Sequence, residues 1–213
     1  MSADLPAAAF RRPDESPDAA FYAAPRFVTD IDDGAVAAVT ALYREYLPAG
    51  GAVLDLMSSW VSHLPGDVPY GRVAGLGMNA EELATNARLT EWRMQDLNAD
   101  PRLPYGDAEF DGAGCCVSVQ YLTRPEAVFR EVARVLRPEA PFVVSFSDRC
   151  FPTKAVAAWQ ALDDAGHARL VAAYFAAAGG FGPPEVRAHR PLGGDPLWGV
   201  VARRAFPAPP ADG

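Results

Sequence analysis

The stretch LPYGDAEFDGAGCCVSVQYLTRPEAVFREVARVLRP, residues 103–138, decides the fold. Within it, GAGCCVSV (112–119) is an uninterrupted run of small and apolar residues, typical of a strand buried on both faces. Pro125 then opens a helix, because proline suits the first helical position, and Pro138 ends it. The apolar residues of this helix recur on one side, at Val128, Phe129, Val132, Val135 and Leu136. The stretch therefore predicts a buried strand followed by an amphipathic helix.

The alternation of strand and helix continues on both sides of this stretch. Short apolar runs predict strands at 52–57, 72–77, 91–97 and 141–146, and periodic apolar residues predict helices at 33–47, 80–87, 154–162 and 164–178. EVRAH (185–189) and LWGVVARR (197–204), around PLGGDP, predict a terminal antiparallel hairpin. Such alternation requires a mostly parallel sheet with helices on both faces. We expect an α/β fold with seven strands and a ligand site beyond the carboxyl ends of the parallel strands.

Charge and composition restrict the partners. The 213 residues contain 27 Asp and Glu against 19 Lys and Arg, a net charge of −8. An acidic chain without a basic cluster lacks the electrostatic footprint that nucleic acid or an anionic membrane requires. The N-terminus shows no signal-peptide pattern and no stretch is long and apolar enough to span a membrane. We expect a cytoplasmic monomer or homodimer that binds a small molecule.

The chain length predicts one domain with tails. Residues 1–20 and 206–213 are rich in Ala, Pro and Asp without periodicity, so we expect them to be flexible, leaving a single domain over 21–205. The three cysteines match neither a disulfide framework nor a metal site, and no metal is expected. Cys115 and Cys116 are expected to pack in the core of a strand.

The quoted stretch and the strands around it resemble the class I S-adenosylmethionine-dependent methyltransferases, in particular those of the methyltransferase type 11 kind. The resemblance covers roughly residues 50–147 and is strongest over 103–138, in both spacing and residue type. It implies a Rossmann-like methyltransferase fold and S-adenosylmethionine as cofactor, with S-adenosylhomocysteine as the product. It also implies methyl transfer, here to a small-molecule metabolite.

The resemblance assigns the cofactor to the ends of the first four strands. After the first strand the family has an acidic residue and then G-x-G-x-G. Here Asp55 supplies the acid, but Met57, Ser59 and Val61 occupy the glycine positions. Ser58 and Ser59 could instead bind the cofactor's carboxylate, at the start of a short helix beginning near Trp60.

The second, third and fourth strands complete the implied cofactor site. After the second strand stand Gly77, Met78 and Asn79, where the family has a ribose-binding acid. Met78 would lie against the adenine, and Asn79 would hold a ribose hydroxyl or, equally, cap the following helix in a capping box with Glu82. Asp96 would accept from the adenine amino group. Leu97 supplies the neighbouring backbone N–H, and Val117 ends the fourth strand.

His63 is the candidate catalytic base. It follows the cofactor turn and stands three residues after Trp60, which predicts that both lie on one helical face. Imidazole can accept a proton from a hydroxyl or ammonium acceptor near neutral pH. The alternative is a histidine that caps a helix or packs in the core. His167 and His189 are expected to be structural or exposed.

Polar and aromatic side chains around the mouth are the substrate-binding candidates. Residues 21–34 precede the first long helix, where related enzymes place a lid, and they could instead pack on the edge of the sheet. Arg26 or Arg149 could pair with a substrate carboxylate. The predicted substrate-binding set is Tyr22, Arg26, Trp60, Tyr121 and Arg149.

Two other functions compete with methyl transfer. The lost glycines and ribose acid also fit a methyltransferase-like protein that binds cofactor or ligand without methyl transfer, or that uses the pocket for another reaction. A nicotinamide-dependent oxidoreductase would need G-x-G-x-x-G after the first strand, and MSSWVS (57–62) is not that motif.

Overall fold

The computed structural model describes residues 5–206 and contains one seven-stranded sheet. The strands are β1 (Ala52–Ser58), β2 (Arg72–Gly77), β3 (Glu91–Met94), β4 (Gly112–Cys116), β5 (Pro141–Phe146), β6 (Glu185–His189) and β7 (Leu197–Arg203). Their order across the sheet is β3-β2-β1-β4-β5-β7-β6. All neighbours pair in parallel except β5 with β7 and β7 with β6, which are antiparallel. The predicted α/β fold with a terminal hairpin is confirmed.

Helices cover both faces of this sheet. They are α1 (Asp18–Phe21), α2 (Asp33–Tyr46), α3 (Ala80–Thr85), α4 (Pro125–Val135), α5 (Ala157–Gln160) and α6 (Asp164–Ala178), with 3₁₀ turns at Ala7–Phe10 and Val119–Tyr121. Asp32 caps α2 by accepting from the Ala35 N–H. The helix predicted at 154–162 is shorter because Val156 is extended and its N–H bonds to the Gln120 carbonyl.

Two hydrophobic clusters follow from the alternation of side chains along the strands. One face carries Leu54, Leu56 and Phe142 and packs with Phe129 of α4 and Phe175 of α6. The other face packs against α2 through residues such as Val39, Tyr43, Val53 and Val143. The strand order reverses between β1 and β4, so a crevice opens beyond the carboxyl ends of these strands.

The link between β1 and β2 corrects one prediction. Residues 59–71, all of them described, form turns, bends and irregular chain, so the predicted helix beginning near Trp60 is absent there. Two effects oppose a helix: Pro65 and Pro69 lack the N–H that helix bonds need, and the Ser58 and Ser62 hydroxyls bond to Asp55. Trp60 and His63 therefore do not share a helical face.

The N-terminal segment also differs from expectation. Residues 5–20 were expected to belong to a flexible tail, and the structure packs them onto the body of the domain. Phe10 lies against the core, and the Asp14 N–H bonds to the Thr153 carbonyl. The buried Lys154 holds this segment through ion pairs with Asp14 and Asp18. Residues 1–4 and 207–213 of the predicted tails lie outside the described residues.

Within residues 5–206, none of the helices has the length and apolar character needed to cross a bilayer.

Candidate functional site

A cleft lies beyond the carboxyl ends of β1 to β4. Its empty volume is about 940 Å³, its opening to solvent included. The floor is formed by residues that directly follow the strands, and the roof by residues 18–30, which cross over from the N-terminal segment. The lining includes Asp18, Tyr22, Arg26, Asp30, Met57, Ser58, Ser59, Gly77, Met78, Asn79, Glu82, Asp96, Leu97, Asn98, Val117, Tyr121 and Phe151.

The end of β3 presents a carboxylate to the cleft. One oxygen of Asp96 accepts from the backbone N–H groups of Asn98 and Ala99, at 2.8 and 3.2 Å. Within residues 5–206 its other oxygen has no hydrogen-bond partner, so it can accept from a ligand. Leu97 is buried beside it, and Met78 lines the same cleft. The structure therefore brings these three predicted residues together.

The polar groups at the end of β2 form hydrogen bonds to other parts of the protein. Asn79 is buried, and its Oδ1 accepts from the backbone N–H groups of Glu81 and Glu82, as a helix cap. Its Nδ2 donates to the carbonyls of Tyr22 and Ala23 in the roof. Gly77 is required by packing, because a Cβ there would meet the Ser58 carbonyl oxygen at 2.2 Å. Asn79 thus anchors the roof and has no free donor for a ligand in this arrangement.

Glu82 is a cleft residue that the sequence pattern concealed. The capping box predicts a bond from its carboxylate to the Asn79 N–H, but the carboxylate accepts from the Ser59 hydroxyl and from the Arg26 N–H, at 2.6 and 2.7 Å. It therefore connects the β1 turn with the roof. Asp18 and Asn98 were missed as well, since only the packing of the N-terminal segment brings Asp18 to the cleft, where it accepts from the Asn98 amide.

The turn after β1 keeps a left-handed backbone without glycine. Met57 has φ +56°, a conformation that side chains other than glycine adopt at a cost of about 1–2 kcal/mol. This cost explains why the family that the sequence resembles has glycine at this position. Here the methionine side chain lies in the wall of the cleft.

Asp55 lies behind this turn rather than in the cleft. It is 6% exposed, and one of its oxygens, Oδ2, accepts from the hydroxyls of Ser58 and Ser62 at 2.5 and 2.6 Å. Burial raises the pKa of this carboxyl to about 6, although the two hydroxyls oppose the shift. Its titratable neighbours Tyr43, Cys115 and Cys116 have pKa values raised by burial, so they stay neutral as Asp55 ionises.

We expect the free energy of unfolding of Asp55→Asn to fall less than that of wild type as the pH rises. A carboxyl whose folded pKa lies above its unfolded pKa stabilises the protein below the unfolded value, and this stability disappears as the pH rises through about 6. The shift corresponds to about 3 kcal/mol. Urea unfolding at pH 4.5 and 7.5 should therefore show a larger decrease for wild type than for Asp55→Asn. Parallel pH profiles of the two proteins would contradict the raised pKa.

A second cavity, called here the side cavity, adjoins the cleft. It has about 590 Å³ of empty space and is lined by Val28, Thr29, Asp30, Ile31, Asp55, Met57, Ser58, Ser59, Trp60, Val61, Ser62, His63, Cys116, Val117 and Ser118. Met57, Ser58 and Val117 also line the cleft, so the two spaces share a wall.

His63 lies in the side cavity with its backbone in the left-handed region, at φ +54°. Its ring is half-buried and makes no hydrogen bond within residues 5–206. Burial lowers the pKa of the imidazole, so the ring is neutral at pH 7 and can accept a proton. His167, by contrast, is buried in the core, where its Nε2 bonds to the Trp159 carbonyl.

The roof contains an aromatic cluster around Arg26. The Arg26 guanidinium lies 4.6 Å from the ring centroid of Phe21 and 5.4 Å from that of Phe151. Tyr121 stacks on Phe151 and accepts from its N–H, and Tyr22 packs edge-on against Phe21. Tyr22, Arg26 and Tyr121, three of the residues predicted to bind substrate, all line the cleft.

The structure separates the other two predicted substrate residues. Trp60 lines the side cavity, and its indole N–H donates to the Val28 carbonyl in the roof. Arg149 lines neither the cleft nor the side cavity. Its guanidinium is 59% exposed and pairs with Asp195 at 2.9 Å, because the loop before β7 brings that carboxylate to it. Arg149 is therefore not placed to bind a ligand in either space.

Comparison with known proteins agrees with this geometry. Residues 58–144 match the family model of a methyltransferase domain, from the end of β1 to the middle of β5. No curated protein matches the sequence.

Three solved structures are similar in fold. A chain of a Haloferax volcanii complex containing the Trm112 methyltransferase activator is 17% identical, with a TM-score of 0.57, over 81% of this chain and 90% of that one. The 4+2 cyclase SpnF is 18% identical, with a TM-score of 0.57, over 80% of this chain and 82% of that one. An S-adenosylmethionine-dependent methyltransferase from Mesorhizobium loti is 18% identical, with a TM-score of 0.51, over 77% of this chain and 96% of that one.

The matched segment contains the strand and helix that decide the fold, and the similar structures share the sheet that positions the cleft. Residues 58–144 of this chain are thus similar to a methyltransferase domain, and the solved structures show that the chain shares their fold.

Proposed function

We propose that this enzyme transfers a methyl group from S-adenosylmethionine to a small-molecule metabolite. The observation that carries the proposal is the roof: residues 18–30 cover the carboxyl ends of the strands, tied down by Asn79 and Glu82. An acceptor must fit beneath this segment, which favours a small molecule over a macromolecule.

The residues at the strand ends fit most of the cofactor. Asp96 has a carboxylate oxygen without a partner within residues 5–206 for the adenine amino group, the Leu97 N–H follows it in the chain, and Met78 lines the same cleft. Met57, Ser58, Ser59, Gly77 and Val117 also line the cleft. Asn79 could bind a ribose hydroxyl only by releasing the roof. When bound, the cofactor supplies a methyl group on a sulfonium sulfur, and the protein's part is to align the acceptor and remove its proton.

Calorimetric titration with S-adenosylmethionine tests this assignment. We expect wild type to bind with a Kd near 1 μM, about −8 kcal/mol, and Asp96→Ala to bind at least about 10-fold more weakly. Asp100→Ala is the matched control, because Asp100 is exposed in the same loop and does not line the cleft. Absence of heat with folded wild-type protein would contradict cofactor binding, and equal affinity of the two variants would remove Asp96 from the site.

A second candidate function is use of the bound cofactor without methyl transfer, or another reaction in the same cleft. Two features favour it: Met57 has a side chain where the backbone conformation suits glycine, and Asn79 is fully engaged with the roof. Incubation with S-adenosylmethionine and a metabolite extract, followed by mass spectrometry, separates the two functions. A product heavier by one methyl group supports transfer, and cofactor binding without such a product supports the second candidate.

The three cysteines are free thiols, which supports a reducing compartment such as the cytoplasm. A Trm112 activator is present in one similar structure, whereas this enzyme is proposed to act as a monomer or homodimer.

A further inference from the structure

Strand β3 forms an edge of the sheet and exposes apolar side chains. It stands at one end of the strand order, and within residues 5–206 no other strand pairs with its outer side. All four of its residues are exposed, including Trp92 at 40% and Met94 at 56%. An unpaired edge with exposed apolar side chains is a template for pairing with another chain, and proteins normally cover or blunt such edges. This edge is therefore a candidate interface.

The pairing of β3 with β2 decides which backbone groups of β3 face outward. The Gln95 N–H donates to the carbonyl of the last residue of β2. Backbone groups alternate in direction along a strand, so those of Glu91 and Arg93 also point to β2. The N–H and C=O groups of Trp92 and Met94 therefore point to the free edge, where they can bond to a further strand.

Two copies of β3 are self-complementary in one antiparallel register. Residues directly opposite each other have side chains on the same face, so a symmetric pair is centred on one residue. When that residue is Trp92, Glu91 of each copy lies opposite Arg93 of the other. Centring on Glu91 or Arg93 would instead place like charges opposite each other, and centring on Met94 would pair only the end of the strand.

Backbone direction favours the same register. At its centre the two copies of Trp92 face each other with their outward groups and can exchange two N–H···O bonds. Glu91 and Arg93 then form the pairs without backbone bonds, in which the Cα atoms are closer, at about 4.5 Å, so that the side chains can meet. Charge and backbone geometry thus agree on a pair centred at Trp92.

Both charged groups are available for such ion pairs. Within residues 5–206 Arg93 forms no salt bridge, and its guanidinium lies 5.5 Å from the ring centroid of Tyr105. One oxygen of Glu91 accepts from Arg72 at 2.5 Å, and in the described chain the other oxygen has no partner. The Glu91 carboxylate can therefore keep Arg72 and also bind Arg93 of a second copy.

We propose that two copies of this chain form a homodimer in which their β3 strands pair antiparallel about Trp92 and join the two seven-stranded sheets into one. The inference goes beyond the proposed function and does not depend on it. A pair of four-residue strands buries less than the roughly 1,200 Å² of a stable interface, so we expect reversible association with a Kd on the order of 10 μM.

Sedimentation equilibrium of the full-length protein measures this association. Between about 1 and about 200 μM the mean mass should rise from the monomer value of 22.7 kDa toward twice that value. A mass that stays at the monomer value over this range would overturn the inference.

Charge reversal locates the interface. Arg93→Glu and Glu91→Arg each place like charges opposite each other, so each variant alone should associate at least about 10-fold more weakly than wild type. An equimolar mixture of the two restores opposite charges across the interface and should recover association near the wild-type level. This recovery cannot come from an unfolded variant. No recovery, with both variants folded by circular dichroism, would overturn the inference.

Two further variants complete the test. Trp92→Lys changes an exposed side chain and places two ammonium groups opposite each other, so it should also weaken association at least about 10-fold. Arg187→Glu is the matched control, because it makes the same charge change on β6 at the opposite edge of the sheet and should leave the dimer unchanged. Wild-type association of the β3 variants, or loss of the dimer in Arg187→Glu alone, would overturn the inference.

Discussion

Replacing His63 with glutamine is expected to lower turnover at least about 100-fold while the Kd for S-adenosylmethionine changes little. An ammonium or hydroxyl acceptor must lose a proton to attack the methyl carbon. The side cavity offers one neutral group that can take this proton at pH 7, the half-buried imidazole of His63. Its ring makes no hydrogen bond within residues 5–206, so a substrate can reach it. A base contributes about 3–5 kcal/mol of barrier, which gives the expected loss.

The measurement is turnover with the acceptor found in the metabolite extract, together with calorimetry of the cofactor. His63→Asn is the second variant, because asparagine tolerates the left-handed backbone at this position and also lacks the base. His189→Gln, on the exposed strand β6, is the matched control and should retain full turnover. Wild-type turnover of both His63 variants with a hydroxyl or amine acceptor would remove this residue from the mechanism. Loss of folding in both would assign it a structural role.

Lys154→Met is expected to lower the free energy of unfolding by about 3 kcal/mol and to loosen the roof. The Lys154 ammonium is fully buried, with Asp18 and Asp14 at 3.1 and 3.2 Å and the Ser16 carbonyl at 2.8 Å. Removing one partner of a buried charge cluster leaves the other charges uncompensated, which costs about 3–5 kcal/mol. Arg12 still pairs with Asp18, so we expect the lower end of this range.

Urea unfolding measures the change in stability, and limited proteolysis of residues 5–30 measures release of the roof. Arg44→Met is the matched control, since the Arg44–Asp67 pair has a similar distance of 2.6 Å but is largely exposed. An exposed pair contributes less than about 1 kcal/mol. Equal losses in the two variants, or a protease-resistant N-terminal segment in Lys154→Met, would show that Lys154 does not hold the roof.

The strands and most helices could be predicted because their signals are local. The apolar run of β5 and the apolar face of α4 each specify an element without reference to the rest of the chain. Strand ends also identify where ligand-facing groups must lie, since parallel strands end at one edge of the sheet. On that basis Asp96, Met78 and Tyr121 could be assigned to the cleft before their contacts were known.

Predictions failed where a particular side-chain hydrogen bond or ion pair, rather than the local pattern, decides the conformation. A short helix at Trp60 was reasonable from the resemblance, but bonds from Ser58 and Ser62 to Asp55 hold the chain in another form. Residues 5–20 have the composition of a loose tail, and only the buried Lys154, more than 130 residues away, shows that they are fixed. Arg149 follows a strand, as a ligand-binding residue would, but its guanidinium pairs with the carboxylate of Asp195.

By itself the sequence determined the α/β sheet, the methyltransferase resemblance and the set of strand ends that form the cleft. Only the tertiary structure decided that Asn79 anchors the roof, that Glu82 and Asp18 reach the cleft, and that Asp55 faces a second cavity with one oxygen unpaired within residues 5–206. The physical reason is the range of the interactions. Hydrophobic period and capping act within one or two turns, whereas pairing of a buried polar atom depends on whichever segment packs against it.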